Sequence, residues 1–217
     1  MASTITAGNA TNGLGISSDN TGILQLKSGT GSGTTALTLD ASQNAAFAGT
    51  VTATNITNAT GTIYPLISAT AVASTTGATI DFTGIPSTAK RVTVMFSGVS
   101  TSGTTGFGVQ AGTSGGVVAT GYLGSTSRVG APTSATLSTG FIFNSNSAAD
   151  ISHGDLILVN ITGNTWVARG TVGQSNVGQA ITVAGNIALS GVLDRVRITT
   201  GNGTDTFDAG SINIMWE

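Results

Sequence analysis

Cysteine is absent from the 217 residues. The chain therefore has no disulfide framework, no thiol nucleophile and no thiolate metal site. Charge is scarce: Asp, Glu, Lys and Arg make up 7% of the sequence, and seven cations against nine anions leave a net charge of −2. So few cations cannot neutralise a run of phosphates, and nucleic-acid binding is not expected. His153 is the only histidine and Glu217 the only glutamate. One histidine without cysteine does not make a zinc site of ordinary composition. Aromatic residues are 5%, few for the sugar platforms of a polysaccharide-cleaving cleft. The longest apolar runs, such as Leu156–Val159, fall far short of the ~20 residues of a membrane helix, so no membrane insertion is expected. The first residues carry neither the cationic nor the apolar region of a secretory signal, so synthesis and folding in a cytoplasm are expected.

What is present points to strands. Hydrophobic residues are 39% and mean hydropathy is positive, enough to bury a core. Val, Ile, Leu, Ala and β-branched Thr suit pleated strands, and 32 glycines with Asn and Ser supply turns. Glu, Lys, Arg and Gln are rare, so almost no long helix is expected.

Composition changes near residue 62. Residues 1–62 hold a single aromatic, Phe47. Short alternating pieces recur there: Thr21–Leu26, Ala36–Asp40 and Thr50–Thr57, separated by loops such as Ser28–Thr34. None has the apolar bulk for a core of its own. Neighbouring chains would have to cover them, which leads us to expect an intertwined stalk. The glycine-rich Ser28–Thr34 lacks the Gly-Lys-Ser/Thr ending of a phosphate loop. The sequons at Asn55 and Asn58 read as stalk sequence.

Residues 63–217 hold the other aromatics. Lys90–Phe96 alternates so that Val92, Val94 and Phe96 share one face, and Ile212, Ile214 and Trp216 do the same at the other end. Further runs are Ala78–Thr83, Gly106–Ala111, Val117–Leu123, Leu137–Phe143, Asp155–Thr162, Thr165–Val172, Ala180–Leu189 and Leu193–Thr199. About ten short strands with turn signals between them predict an all-β fold with a C-terminal β-sandwich, jelly-roll-like.

Thr79–Pro86, Lys90–Ser100 and the ending Gly210–Glu217 resemble tail-fibre-like virion proteins of tailed bacteriophages. Leu37–Asn44 and Gly49–Thr54 resemble repeats of phage fibres and trimeric adhesins. The resemblance implies a non-enzymatic structural protein of the virion, a homotrimer that meets other virion proteins. It also implies attachment to a host cell-surface polysaccharide or protein receptor, and it carries over no fixed binding residues.

Individual residues suggest further chemistry. Tyr122 and Arg128 flank Gly124–Ser127, which reads as a loop, and are candidate receptor contacts. Gly201–Phe207 partly matches a calcium-binding nonapeptide, making Asp205 and Asp208 candidate Ca²⁺ ligands; the alternative is a plain hairpin loop. Ser152-His153-Gly154-Asp155 has the residue types of a hydrolytic triad without a nucleophile elbow, and reads as a loop histidine before a strand. Trp166 and Trp216 are expected to pack in the core. Arg195 and Arg197 share a face, either solvated or meeting Asp194 or Glu217 of a neighbour. The alternative functions are capsid decoration as a head fibre, a polysaccharide depolymerase using paired carboxylates, and ice binding through threonine arrays such as Thr50–Thr54.

Overall fold

The computed structural model describes residues 23–28, 34–42, 44–49, 51, 56–58, 61–63, 65–130 and 134–217. Every regular element in them is a strand and every pairing is antiparallel. The chain divides into two compact units, residues 1–63 and 64–217.

The first unit contains a three-stranded sheet of β1 (Leu24–Ser28), β2 (Thr34–Leu39) and β3 (Ala45–Phe47), and a hairpin of β4 (Ile56–Asn58) with β5 (Gly61–Ile63). Two expected pieces thus appear as β1 and β2, while residues 29–33 of the Ser28–Thr34 loop and most of Thr50–Thr57 lie outside the described residues. Leu26 and Phe47 remain 45% and 55% exposed, and among the described residues none of this unit belongs to the buried core.

The second unit is a two-sheet sandwich. The larger sheet contains β12 (Leu123–Arg128), β13 (Ser134–Leu137), β15 (Ser152–Thr162), β16 (Thr165–Gln174), β17 (Gln179–Ala188), β9 (Arg91–Thr101) and β19 (Phe207–Trp216). Their order is β13-β12-β17-β16-β15-β9-β19, and β6 (Ile67–Ser68) and β7 (Val72–Ala73) pair along the outer edge of β19. The smaller sheet runs β11-β10-β18-β8, formed by β11 (Gly116–Val117), β10 (Phe107–Thr113), β18 (Arg195–Thr200) and β8 (Thr79–Thr83), with β14 (Phe141–Phe143) also on β10. From β8 to β10 each strand crosses to the opposite sheet. The chain crosses again from β11 to β12, from β13 to β14, from β14 to β15, from β17 to β18 and from β18 to β19. The order β8-β18-β10-β14 facing β9-β15…β12-β13 is that of a jelly roll, expanded by the meander β15-β16-β17 and by β19.

Strand alternation makes the core. Val92, Val94 and Phe96 point inward, as do Ile212 and Ile214 from β19 and Val196 and Ile198 from β18, all buried. Phe96 of the larger sheet meets Phe107 of the smaller, ring centres 5.0 Å apart. Phe143 and Phe207 also contact Phe107, at 5.9 and 6.4 Å. The edge-on contacts of Phe107 with Phe96 and Phe207 tie the two sheets together, and Phe143 packs against Phe107 within the smaller sheet. Trp166 is buried, and Trp216 is partly buried against the core.

Three strand assignments change. Val117–Leu123 is not one strand: β11 stops at Val117 and β12 begins at Leu123. Leu137–Phe143 breaks into β13 and β14, which belong to different sheets. Gly124–Ser127, expected as a loop, lies within β12 between β13 and β17. A Cβ on Gly124 would collide with the Ala184 carbonyl oxygen and the Gly185 Cα, so glycine is what lets β12 seat against β17.

The smaller sheet has a polar outer face. Arg197 forms a bidentate pair with Asp81 on β8, both contacts 2.7 Å, and this pairing holds the Asp81 carboxyl below the usual carboxylate range. Arg195 pairs with its own neighbour Asp194 at 3.0 Å, and Arg91 with Glu217 at 2.6 Å. Arg195 and Arg197, read as either solvated or meeting a neighbour's carboxylate, each have a carboxylate partner within the chain.

Candidate functional site

The candidate site is an open groove of about 550 Å³ beside β13 and β14. Residues 134–139 run along one wall as the edge of the larger sheet, with Ala135 and Leu137 on the inner side and Ser134 and Thr136, opposite Ser127 and Ser125, on the outer side. Ile142 and Leu137 contribute apolar floor, and Thr104, Thr105 and Gly201 close the groove from other connections. Asn144, Ser145 and Asn146 form the remaining side. Among the described residues, no Asp, Glu, Lys, Arg, His or aromatic side chain lines it.

A buried polar cluster holds the Asn144–Asn146 wall from behind. Arg128 donates from Nη1 to Gln179 Oε1 at 2.7 Å and from Nη2 to the Asn144 carbonyl at 3.1 Å. With its amide turned to satisfy both neighbours, Asn146 accepts from Arg128 Nη1 at 2.9 Å and donates to the Ser145 carbonyl at 3.0 Å. Asp150 Oδ2 accepts from Ser145 Oγ at 2.6 Å, Gln174 Nε2 at 2.8 Å and the Asn146 amide at 3.3 Å. Arg128, Asp150 and Gln174 are all buried; these bonds offset the cost of burying Arg128 and Asp150, while Gln174 Oε1 has no partner among the described residues.

Tyr122 and Arg128 are therefore not surface contacts. The reason is the strand: β12 lies inside the larger sheet and alternation turns Arg128 inward. Tyr122 is 1% exposed, with its hydroxyl accepting from the Ala111 amide at 2.7 Å and donating to the Val118 carbonyl at 2.8 Å. Its ring stands edge-on to Phe141 at 5.0 Å. Both residues are corrected from receptor contacts to internal supports, and Arg128 supports a wall of the groove.

Burial pushes the Tyr122 hydroxyl up from its ordinary value near 10 to about 12, opposed by the hydrogen bond from Ala111. The fold thus favours the neutral phenol. Its contribution is complete below pH 10 and is lost as pH rises toward 12, because the unfolded state releases its proton first. Tyr122→Phe is expected to lower stability by about 1–3 kcal/mol at pH 7, since it leaves the Ala111 amide unpartnered. It should also shed part of the alkaline decline between pH 10 and 12. Urea unfolding at pH 8, 10 and 11.5 measures both effects.

Asp205 and Asp208 take different places. Asp205 Oδ2 accepts from Thr105 Oγ1 at 2.9 Å, and the carboxylate lies over Gly103, where a Cβ would collide with it. Asn202 and Thr105 hold the Asp205 carboxyl below its ordinary range. Asp208 is exposed on β19. Among the described residues, neither belongs to a group of three or more His, Asp or Glu side chains. The loop carboxylate ties the β18–β19 connection to Thr105, which lines the groove.

His153 begins β15 rather than preceding it, and its Nδ1 accepts from the Gly98 amide at 3.1 Å. Ser152 is buried while His153 is exposed, so the hydroxyl and the imidazole of this segment face opposite ways.

Hydroxyls and amides that both donate and accept suit a polar, uncharged ligand bearing the same groups. Thr105 and Ser145 are committed to Asp205 and Asp150, whereas the hydroxyls of Ser134, Thr136, Ser138 and Thr139 bond to no other described residue. No pair of carboxyl groups lines the groove to cut a glycosidic bond. No local pattern marked the site, because its walls come from segments far apart in the chain. Compared with protein-family models, curated proteins and solved structures, the chain matches none.

Proposed function

We propose that the chain is a non-enzymatic structural protein of a tailed-bacteriophage virion, of tail-fibre or fibre-tip type, acting as a homotrimer in attachment to the host surface. The resemblance of Thr79–Pro86, Lys90–Ser100 and Gly210–Glu217 supports the class. The observation that carries the attachment role is the groove: an uncharged cleft walled by hydroxyl and amide groups, whose chemistry fits a neutral glycan. The exposed Leu26 and Phe47 of the first unit support assembly with further copies. Weak single grooves become effective when three chains, and several fibres, engage one surface; linkage of this kind raises avidity by about 10²–10⁴-fold.

A panel of neutral oligosaccharides tested against the full chain decides the ligand class. Binding at millimolar strength is expected, abolished by Ala135→Trp, which fills the groove from an exposed strand position on its inner side. Absence of binding to every neutral glycan, together with tight binding to purified capsids, would overturn attachment in favour of capsid decoration.

A further inference from the structure

We propose that the outer face of the larger sheet is where copies of this chain meet, the faces of neighbouring copies turned toward a common three-fold axis. The inference deepens the homotrimer in the proposed function and rests on it. It begins with a contrast between the two outer faces. The smaller sheet presents what water demands: Asp81, Thr83, Arg195 and Arg197, with their ion pairs. The larger sheet mixes polar residues with an apolar patch near its centre.

The register gives the rows across that face. One runs Met215, Thr93, Ile157, Arg169, Ala184, Ser125. The next on one side joins Arg91, Val159 and Val167, and on the other Asn213, Met95, Asp155, Thr171 and Thr182. Met215, Met95, Ile157, Val159 and Val167 therefore form one contiguous apolar patch on a face where an antiparallel sheet open to water ordinarily alternates to polar residues. Val159 and Val167, directly opposite one another, are 38% and 37% exposed.

Charge and size name the occupant. Beside the apolar patch stand Asp155 and Arg169, which among the described residues form no ion pair, while Arg91 is already joined to Glu217. The two opposite charges line one shallow recess with Ile157, Thr171 and Thr182. A face carrying one free cation and one free anion is complementary to itself: Asp155 of one copy answers Arg169 of the next. Five strands about 4.8 Å apart and about ten residues long span roughly 800 Å². That is the area one partner contributes to a stable interface. A second copy supplies a matching area, apolar character and opposite charges at once.

The absence of cysteine makes a direct test clean, because one introduced thiol is unique. Val159→Cys and, on the opposite outer face, Thr83→Cys are treated in the full chain with a short bis-maleimide and run on a denaturing gel. Covalent dimers are expected from Val159→Cys and none from Thr83→Cys. In parallel, Arg169→Asp should raise the dissociation constant at least about tenfold by sedimentation, and the exchanged pair Asp155→Arg with Arg169→Asp should restore it. An oligomeric wild type that cross-links at Thr83→Cys but not Val159→Cys, and ignores the charge reversal, overturns this interface while leaving the homotrimer standing. A monomeric wild type overturns both.

Discussion

Gly106→Ala is expected to cost about 2–5 kcal/mol. Gly106 opens β10 at φ +73°, where an L side chain costs about 1–2 kcal/mol. Its ideal Cβ would also collide with the Phe143 carbonyl oxygen and crowd the Ser145 amide, both backbone atoms that cannot swing aside. Forced overpacking adds about 1–3 kcal/mol. The Gly106 carbonyl meanwhile accepts from the Gly201 amide at 2.9 Å, so a shift here carries into the groove on both sides. Gly203→Ala is the control. Gly203 has nearly the same φ, +72°, but nothing within 4 Å of its Cβ. It should lose only the conformational part. The difference in urea midpoints between the two variants isolates the collision. Equal losses would mean that β10 and β14 approach less closely than described.

Phe107→Ala should cost about 3–5 kcal/mol. Phe107 is 3% exposed and its ring touches Phe96 and Phe207 from the larger sheet and Phe143 from its own. Truncation removes the ring shared by three others and leaves a cavity between the sheets. Phe107→Leu keeps most of the volume and should cost clearly less, the remainder measuring the edge-on aromatic contacts at about 0.5–1.5 kcal/mol each. Thermal unfolding reads both, at about 2–4 °C per kcal/mol for a domain of this size. A Phe107→Ala loss under 1 kcal/mol would contradict a core shared by the two sheets.

The sandwich was legible where alternation was strong. Val92, Val94 and Phe96 announce an inward face unaided, and so do Ile212 and Ile214. Legibility failed where glycine and serine carry a strand. Gly124-Ser125-Thr126-Ser127 has loop composition, yet cross-strand crowding at Gly124 makes glycine the residue a buried strand needs there. That single misreading placed Tyr122 and Arg128 at the surface. Their partners lie at Ala111, Val118, Asn144 and Gln179, and no local pattern reveals that a guanidinium will find an amide 51 residues away. The groove was not legible: residues 134–139, Thr104 and Asn144 are separate segments that meet only through sheet pairings such as that of β10 with β14.

The proposed function depends on copies of the chain acting together, and native mass in solution tests that most directly. Light scattering on the full chain should give about 64 kDa, from 3 × 21.3 kDa, constant over a hundredfold range of concentration. A mass of 21.3 kDa across that range would contradict a self-assembling fibre protein.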